Sequence, residues 1–169
     1  MKLLKTASSL VTIGAIISAS VTSVHALPAD SLYTITINQH GSFIPFYQAK
    51  SAVDFKSSYA DLSDEQKNTV RNKFDNLGIT DTPPYPSNGS GDLYRPLLEI
   101  GAQRGYKGKL IMNATIDLDG KVSATEVIES PNKYFSQKAI KIVNNTKFDA
   151  GFCGQAKCVM SYPIEIRFN

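Results

Sequence analysis

The sequence predicts an α+β fold: a C-terminal ββαβ module with an antiparallel sheet in the order 2-1-3 and one covering helix, preceded by a small α/β segment. Three patterns carry the prediction. Met160, Tyr162, Ile164, Ile166 and Phe168 alternate with Ser161, Pro163, Glu165 and Arg167, the period-2 signature of a strand with one buried face. Two further alternating runs flank Asp119-Gly120, a hairpin signal. Between the hairpin and the last strand, Phe135, Ala139, Ile142 and Val143 fall on one stripe of a helix.

The first 26 residues read as a leader and not as part of the fold. Lys2 and Lys5 precede the apolar run LVTIGAIISASV at 10–21, and Val24-His25-Ala26 has the residue sizes of a cleavage site. The rival is an uncleaved membrane anchor, which asks for about 20 mostly apolar residues. This run is shorter and carries Thr and Ser. Cleavage after Ala26 gives an exported product of 143 residues, enough for one domain with a real core. Without Lys2 and Lys5 that product has 16 basic and 15 acidic residues, a balance that gives no reason to expect nucleic acid or anionic lipid as a partner.

Residues 27–82 form an N-terminal segment whose role the sequence leaves open. Tyr33, Ile35 and Ile37 alternate with Thr34, Thr36 and Asn38, as in a half-buried strand. Phe43, Phe46 and Tyr47 cluster around Pro45. Ser63-Asp64-Glu65-Gln66 is a capping box that opens a helix, with Val70, Phe74 and Leu77 on its apolar face and Gly78 at its end. No chemistry stands out here, so the segment is expected to pack against the C-terminal module.

Thr82-Pro83-Pro84-Tyr85-Pro86 and the loop Ser87-Asn88-Gly89-Ser90-Gly91 mark a boundary, and the second region runs over 83–169. Pro96 suits a first helical turn, which predicts a short helix over 96–104 closed by Gly105. The strand at 109–118 then has Leu110, Met112, Ala114, Ile116 and Leu118 on one face. A type I′ turn at Asp119-Gly120 returns the chain through 121–129, where Val122, Ala124 and Ile128 are apolar. Ser130-Pro131 breaks that strand, a helix covers 135–145, and the last strand covers 159–168. Traced in order, these elements give an all-antiparallel sheet only if the last strand lies beside the first. Its outer side is then an edge.

Cys153 and Cys158 are the only cysteines, and in an exported chain a pair at this spacing reads as a disulfide. A zinc site is the alternative, but it wants four ligands and only His40 is left to join them. Asp117 and Asp119 fall at a hairpin and lack the further ligands of a calcium loop. Asn88-Gly89-Ser90-Gly91 has no Lys-Ser/Thr after it, so it reads as a loop and not as a phosphate cradle. His40 sits in a turn, and no Gly-x-Ser-x-Gly is present for nucleophilic catalysis. The sequence therefore predicts no catalytic residue, metal, cofactor or small-molecule substrate.

Several runs taken together resemble a known family. They are Gly105-Tyr106-Lys107-Gly108-Lys109-Leu110, Ile116-Asp117-Leu118-Asp119-Gly120-Lys121-Val122, Val127-Ile128-Glu129-Ser130-Pro131, Ala139-Ile140, Lys147-Phe148 and Tyr162-Pro163-Ile164-Glu165-Ile166-Arg167-Phe168. In order and spacing they are similar to the C-terminal domain of TonB, the periplasmic energy transducer, over roughly residues 83–169. There are departures. Tyr85-Pro86 lies further upstream of the first strand than the family's Tyr-Pro, Tyr94-Arg95-Pro96 is nearer but imperfect, and Asp149 replaces a common Pro. The chain also has neither an evident spanning helix nor a Pro-rich spacer: only Pro28 and Pro45 fall between 27 and 82. The resemblance thus implies a periplasmic protein that binds segments of an outer-membrane receptor or other envelope proteins. It allows a homodimer as well, and leaves energy transduction in doubt.

In that family the last strand's open edge accepts an extended partner segment by β-augmentation, in which backbone bonds supply affinity. Pro163 has no N–H and within sheets is tolerated at edges. Since backbone groups of a strand point to opposite edges on alternate residues, Ser161, Pro163, Glu165 and Arg167 are the candidate partner-binding positions. A partner strand would bond at Ser161, Glu165 and Arg167 and leave a gap at Pro163. The plainer reading is that these residues shield a bare edge from aggregation. A membrane-held transducer, if the leader is never cut, and an exported structural or assembly factor acting through the aromatic N-terminal segment are the alternative functions.

Overall fold

The computed structural model describes residues 32–38 and 45–169. Residues 1–26, expected to be a leader, lie outside the described residues, as do His40 and Phe43. In chain order the elements are β1 (Tyr33–Asn38), β2 (Pro45–Ser51), α1 (Asp64–Arg71), β3 (Tyr85–Pro86), α2 (Gly91–Arg104), β4 (Gly108–Ile116), β5 (Val122–Glu129), α3 (Lys133–Asn145), β6 (Phe148–Asp149), β7 (Gly151–Cys153), β8 (Ala156–Cys158) and β9 (Met160–Phe168). The class is α+β, as the sequence predicts.

The central sheet runs β5–β4–β9 and is antiparallel throughout. Its inner face is set by alternation: Leu110, Met112, Ala114 and Ile116 of β4 and Tyr162, Ile164, Ile166 and Phe168 of β9 are all buried. Across that face lies α3, capped by the Asn132 side chain, which accepts from the Phe135 amide at 2.9 Å. Its stripe of Phe135, Ala139 and Val143 is fully buried, and the Phe135 ring meets Phe168 edge-on at 5.3 Å. Helix α2 packs beside α3 and against the β1–β2 hairpin, burying Leu93, Leu97, Leu98 and Ala102.

The N-terminal segment shares this core. Ile35 and Ile37 of β1, then Val53, Leu62 and Val70, belong to the same apolar cluster as the sheet and both long helices. The segment therefore packs against the C-terminal module, as expected. The predicted capping box is present: Ser63 Oγ accepts from Gln66 N, and Gln66 Oε1 accepts from Ser63 N, each at 3.3 Å.

Five local expectations are corrected. Helix α1 stops at Arg71 and leaves Leu77 outside it; Asn76 is left-handed, and the Arg71 guanidinium turns forward to the carbonyls of Gly78, Ile79 and Asp81. Helix α2 begins at Gly91, not at Pro96, with Asp92 in its first turn; it closes at left-handed Gly105 as expected. Strand β4 ends at Ile116, and Leu118 is exposed in the adjoining turn.

The turn itself is not type I′, which needs two positive φ angles. Only Gly120 has one (78°); Gly120 N donates to the Asp117 carbonyl, and the Asp117 carboxylate accepts from Asp119 N and Lys121 N. Gly120 is fixed by crowding too, since a Cβ there would lie 2.0 Å from the Phe148 carbonyl oxygen. Finally, register shifts near both ends of the β4–β5 ladder place Thr125 and Val127 opposite Ala114 and Met112, so Ala124 and Ile128 face solvent. A bulge changes which parity points inward.

Cys153 and Cys158 form a disulfide, Cα–Cα 5.8 Å, across the β7–β8 hairpin. Among the described residues no helix is long and apolar enough to cross a membrane.

Candidate protein-binding site

Strand β9 has β4 on one side and, among the described residues, no strand on the other. Which backbone groups point to the open side is decided by register. Ser123 of β5 donates its hydroxyl to the Thr115 carbonyl at 3.1 Å, so the Thr115 backbone faces β5. Thr115 is paired with Ser161, and Asn113 with Pro163. In an antiparallel pair, two residues that do not bond each other both point away. The backbones of Ser161, Pro163, Glu165 and Arg167 therefore point outward. A second contact agrees: Tyr47 Oη donates to the Arg167 carbonyl at 2.9 Å from outside the sheet. Pro163 thus removes no bond from the β4–β9 ladder. Its side chain is half-buried, while those of Ser161, Glu165 and Arg167 are exposed.

The open side is bordered by a groove of about 310 Å³. One wall is β9 from Tyr162 to Arg167; the opposite wall is β2 from Tyr47 to Ser51, itself a strand with a single ladder partner among the described residues. At the floor, Tyr85 and Tyr162 rings meet edge-on at 6.5 Å, Phe74 meets Tyr162 at 5.9 Å, and Phe55 meets Tyr94 at 6.5 Å. Lys50, Lys73 and Arg167 line the groove against a single carboxylate, Glu165.

The phenols of this floor do not ionise at physiological pH. Burial pushes the Tyr94 hydroxyl up to about 12, with Tyr85 and Glu165 adding to the effect and Tyr162 opposing it. Burial, then the neighbouring phenols, hold Tyr162 well above the ordinary tyrosine value. Tyr85 is raised as well, first by burial, with Ser90 beside the hydroxyl opposing and the Asp54 carboxylate adding to the effect; among the described residues no group meets the buried Tyr85 Oη at hydrogen-bond distance and angle. Lys73 moves down because burial penalises its ammonium, an effect Glu165 partly offsets.

The comparison with known families finds that the model for the Gram-negative bacterial TonB protein C-terminal matches residues 99–169. That span holds the end of α2 and everything from β4 to β9. Residues 99–169 are thus similar to the TonB C-terminal domain family. No curated protein and no solved structure matches the chain. TonB C-terminal domains are periplasmic, non-enzymatic interaction modules whose partners are outer-membrane receptors. The match begins later than the 83–169 suggested by the resemblance, so Tyr85-Pro86 and Tyr94-Arg95-Pro96 fall outside it. Of these, Tyr85-Pro86 is β3 and pairs with Phe148-Asp149 of β6, while Tyr94 and Pro96 stand within α2. Asp149 accepts from Ser87 Oγ at 2.8 Å and ties the two segments together.

The groove is therefore composite. The matched span contributes β9, and the far wall and part of the floor come from residues upstream of the match. Sequence reasoning missed Tyr47, Lys73, Tyr85 and Tyr94 as parts of the site. They are far apart in the chain, and only the fold brings them to one place.

Proposed function

We propose that this chain is a periplasmic TonB-like interaction module that takes up an extended segment of an outer-membrane receptor or other envelope protein as an added strand on the outer edge of β9. The observation that carries the reading is the outward row of backbone groups at Ser161, Glu165 and Arg167, facing a groove and not another strand. Strand addition takes its affinity from such groups. Pro163 interrupts the row, so docking would use two bonding stretches with a gap between them.

Glu165→Pro removes one outward N–H without touching the β4 ladder. Calorimetry against a receptor segment captured from envelope extract should show loss of binding, with circular dichroism near wild type. Glu165→Gln, which keeps the N–H, should retain strand addition. Undiminished binding by the Pro variant removes the proposal.

A membrane-held energy transducer is the second reading. It turns on residues 1–26, and the mass of the protein purified from the envelope tests it: a chain beginning at Leu27 has lost the segment that would anchor it.

A further inference from the structure

Some groups in the groove are not used by backbone docking. Tyr85 Oη is the clearest: its ring is 2 % exposed, and its hydroxyl is buried without a hydrogen-bond partner among the described residues. Leaving such a hydroxyl unpaired costs about 1–3 kcal/mol, and a native structure that tolerates this calls for an explanation. The phenols of Tyr94 and Tyr162 neighbour it; both stay protonated across the physiological range, and Tyr162 directs its O–H toward Tyr94, which leaves the Tyr94 O–H to donate. Lys73 lines the same groove with its ammonium partly withdrawn from water. Against these donors the groove's own charged acceptor is Glu165, exposed on β9 and facing Lys73 at the rim. With Lys50 and Arg167 added, three cations meet one carboxylate. The imbalance of charge is in one direction, toward an anion.

We infer that the groove reads an acidic side chain, Asp or Glu, on the docked strand, its carboxylate lodged among Lys73 and the hydroxyls of Tyr85, Tyr94 and Tyr162. This rests on the strand-docking reading and names the partner's chemistry. A carboxylate accepts at about four lone-pair positions and donates nothing, which suits a set of phenols and an ammonium. An apolar partner side chain would leave Tyr85 Oη and Lys73 as they are. A basic one would add a fourth cation. The groove's volume exceeds what a single carboxylate needs, so the remainder is open to the neighbouring apolar side chains of an extended segment, which would meet Phe55 and Phe74.

The test is selection from a random heptapeptide phage library on the chain purified in its exported form. Selected peptides should carry Asp or Glu at one fixed position. By calorimetry, the Asp→Asn version of the best peptide should bind about tenfold more weakly, the size expected for a charge-assisted hydrogen bond. That preference should fall to near unity in Lys73→Met and in Tyr85→Phe, whose folding is checked by circular dichroism. No selectable peptide, no fixed acid, or a preference unchanged in both variants overturns the inference. Glu165→Pro separates it from the docking reading. If that variant loses all binding while the acid preference in wild type never appears, the strand reading stands and the acid site falls. Equal binding of the selected peptide to Glu165→Pro and wild type removes strand docking itself, and with it the acid site.

Discussion

Tyr85→Phe deletes one oxygen from a fully buried ring, and the structure dictates the direction of its effect on stability. The side chain is 2 % exposed, and its ring packs on Tyr59 at 5.8 Å and Tyr162 at 6.5 Å; phenylalanine preserves both contacts. What changes is the hydroxyl, which has no partner among the described residues. An unpaired buried hydroxyl costs about 1–3 kcal/mol relative to an apolar group of the same shape. Taking the low end, because Ser90 is close by, Tyr85→Phe should gain about 1 kcal/mol. In urea, with a slope of about 2 kcal/mol/M, the midpoint should rise by about 0.5 M; the melting temperature should rise by about 3 °C for a domain of this size. The same substitution should weaken the acid preference of the groove, so stability and binding move in opposite directions. That opposition is expected where a fold keeps a polar group for a ligand. A midpoint lowered by 0.5 M or more would refute the reasoning, because it would mean that the hydroxyl is paired within the folded protein.

The same geometry sets three more outcomes. Gly120→Ala should cost about 3 kcal/mol or more, since it combines a positive φ with a contact to the Phe148 backbone that no side-chain movement relieves; equilibrium urea unfolding measures it. Replacing both Cys153 and Cys158 by Ser should lower stability by about 2 kcal/mol, as expected for opening a short loop, with binding at β9 intact. Tyr94 contributes to the alkaline limb together with Tyr85 and Tyr162: its folded-state value of about 12 lies above the ordinary 10.0, so its contribution is complete below pH 10 and is lost as pH rises through 12. That difference amounts to about 3 kcal/mol, so urea midpoints should fall across this window in wild type and fall less in Tyr94→Phe; parallel curves would count against the burial argument.

What the sequence made legible tracks periodicity. β9, β4, α3 and the capping box of α1 are each one unbroken pattern, and connectivity then left one antiparallel arrangement for the three long strands. Patterns failed where a single residue had two meanings. Pro96 reads as a first-turn proline yet stands inside α2, where it forfeits one backbone bond near the helix start and leaves Leu93, Leu97 and Leu98 in place. In β5 the bulges inverted the parity, so Ala124 and Ile128 fit an inward face by alternation and face water in the fold. β2 was invisible as a strand because Pro45 and the mixed run after it do not alternate. The outward row at 161, 163, 165 and 167 was readable because proline reports an edge. The rest of the groove was not, since Tyr47, Lys73, Tyr85, Tyr94 and Tyr162 meet only in three dimensions.

The bond from Tyr47 Oη to the Arg167 carbonyl has a consequence for docking. That carbonyl is one an added strand would take, and in the unbound protein it is already satisfied. Tyr47 belongs to β2, upstream of the TonB match, so the N-terminal segment both builds the groove and occupies part of the edge. A partner strand that reaches Arg167 must replace this bond. Tyr47→Phe should therefore leave fewer groups to displace, at a cost of about 1 kcal/mol or less in stability because the bond is exposed. Binding of a selected peptide should tighten by up to about fivefold, the equivalent of one ordinary hydrogen bond. If instead the partner stops short of Arg167, affinity will not change in this variant, and hydrogen exchange at Ser161 and Glu165 will slow on binding while Arg167 stays as before. Weaker binding by Tyr47→Phe would show that the phenol holds the partner and does not compete with it.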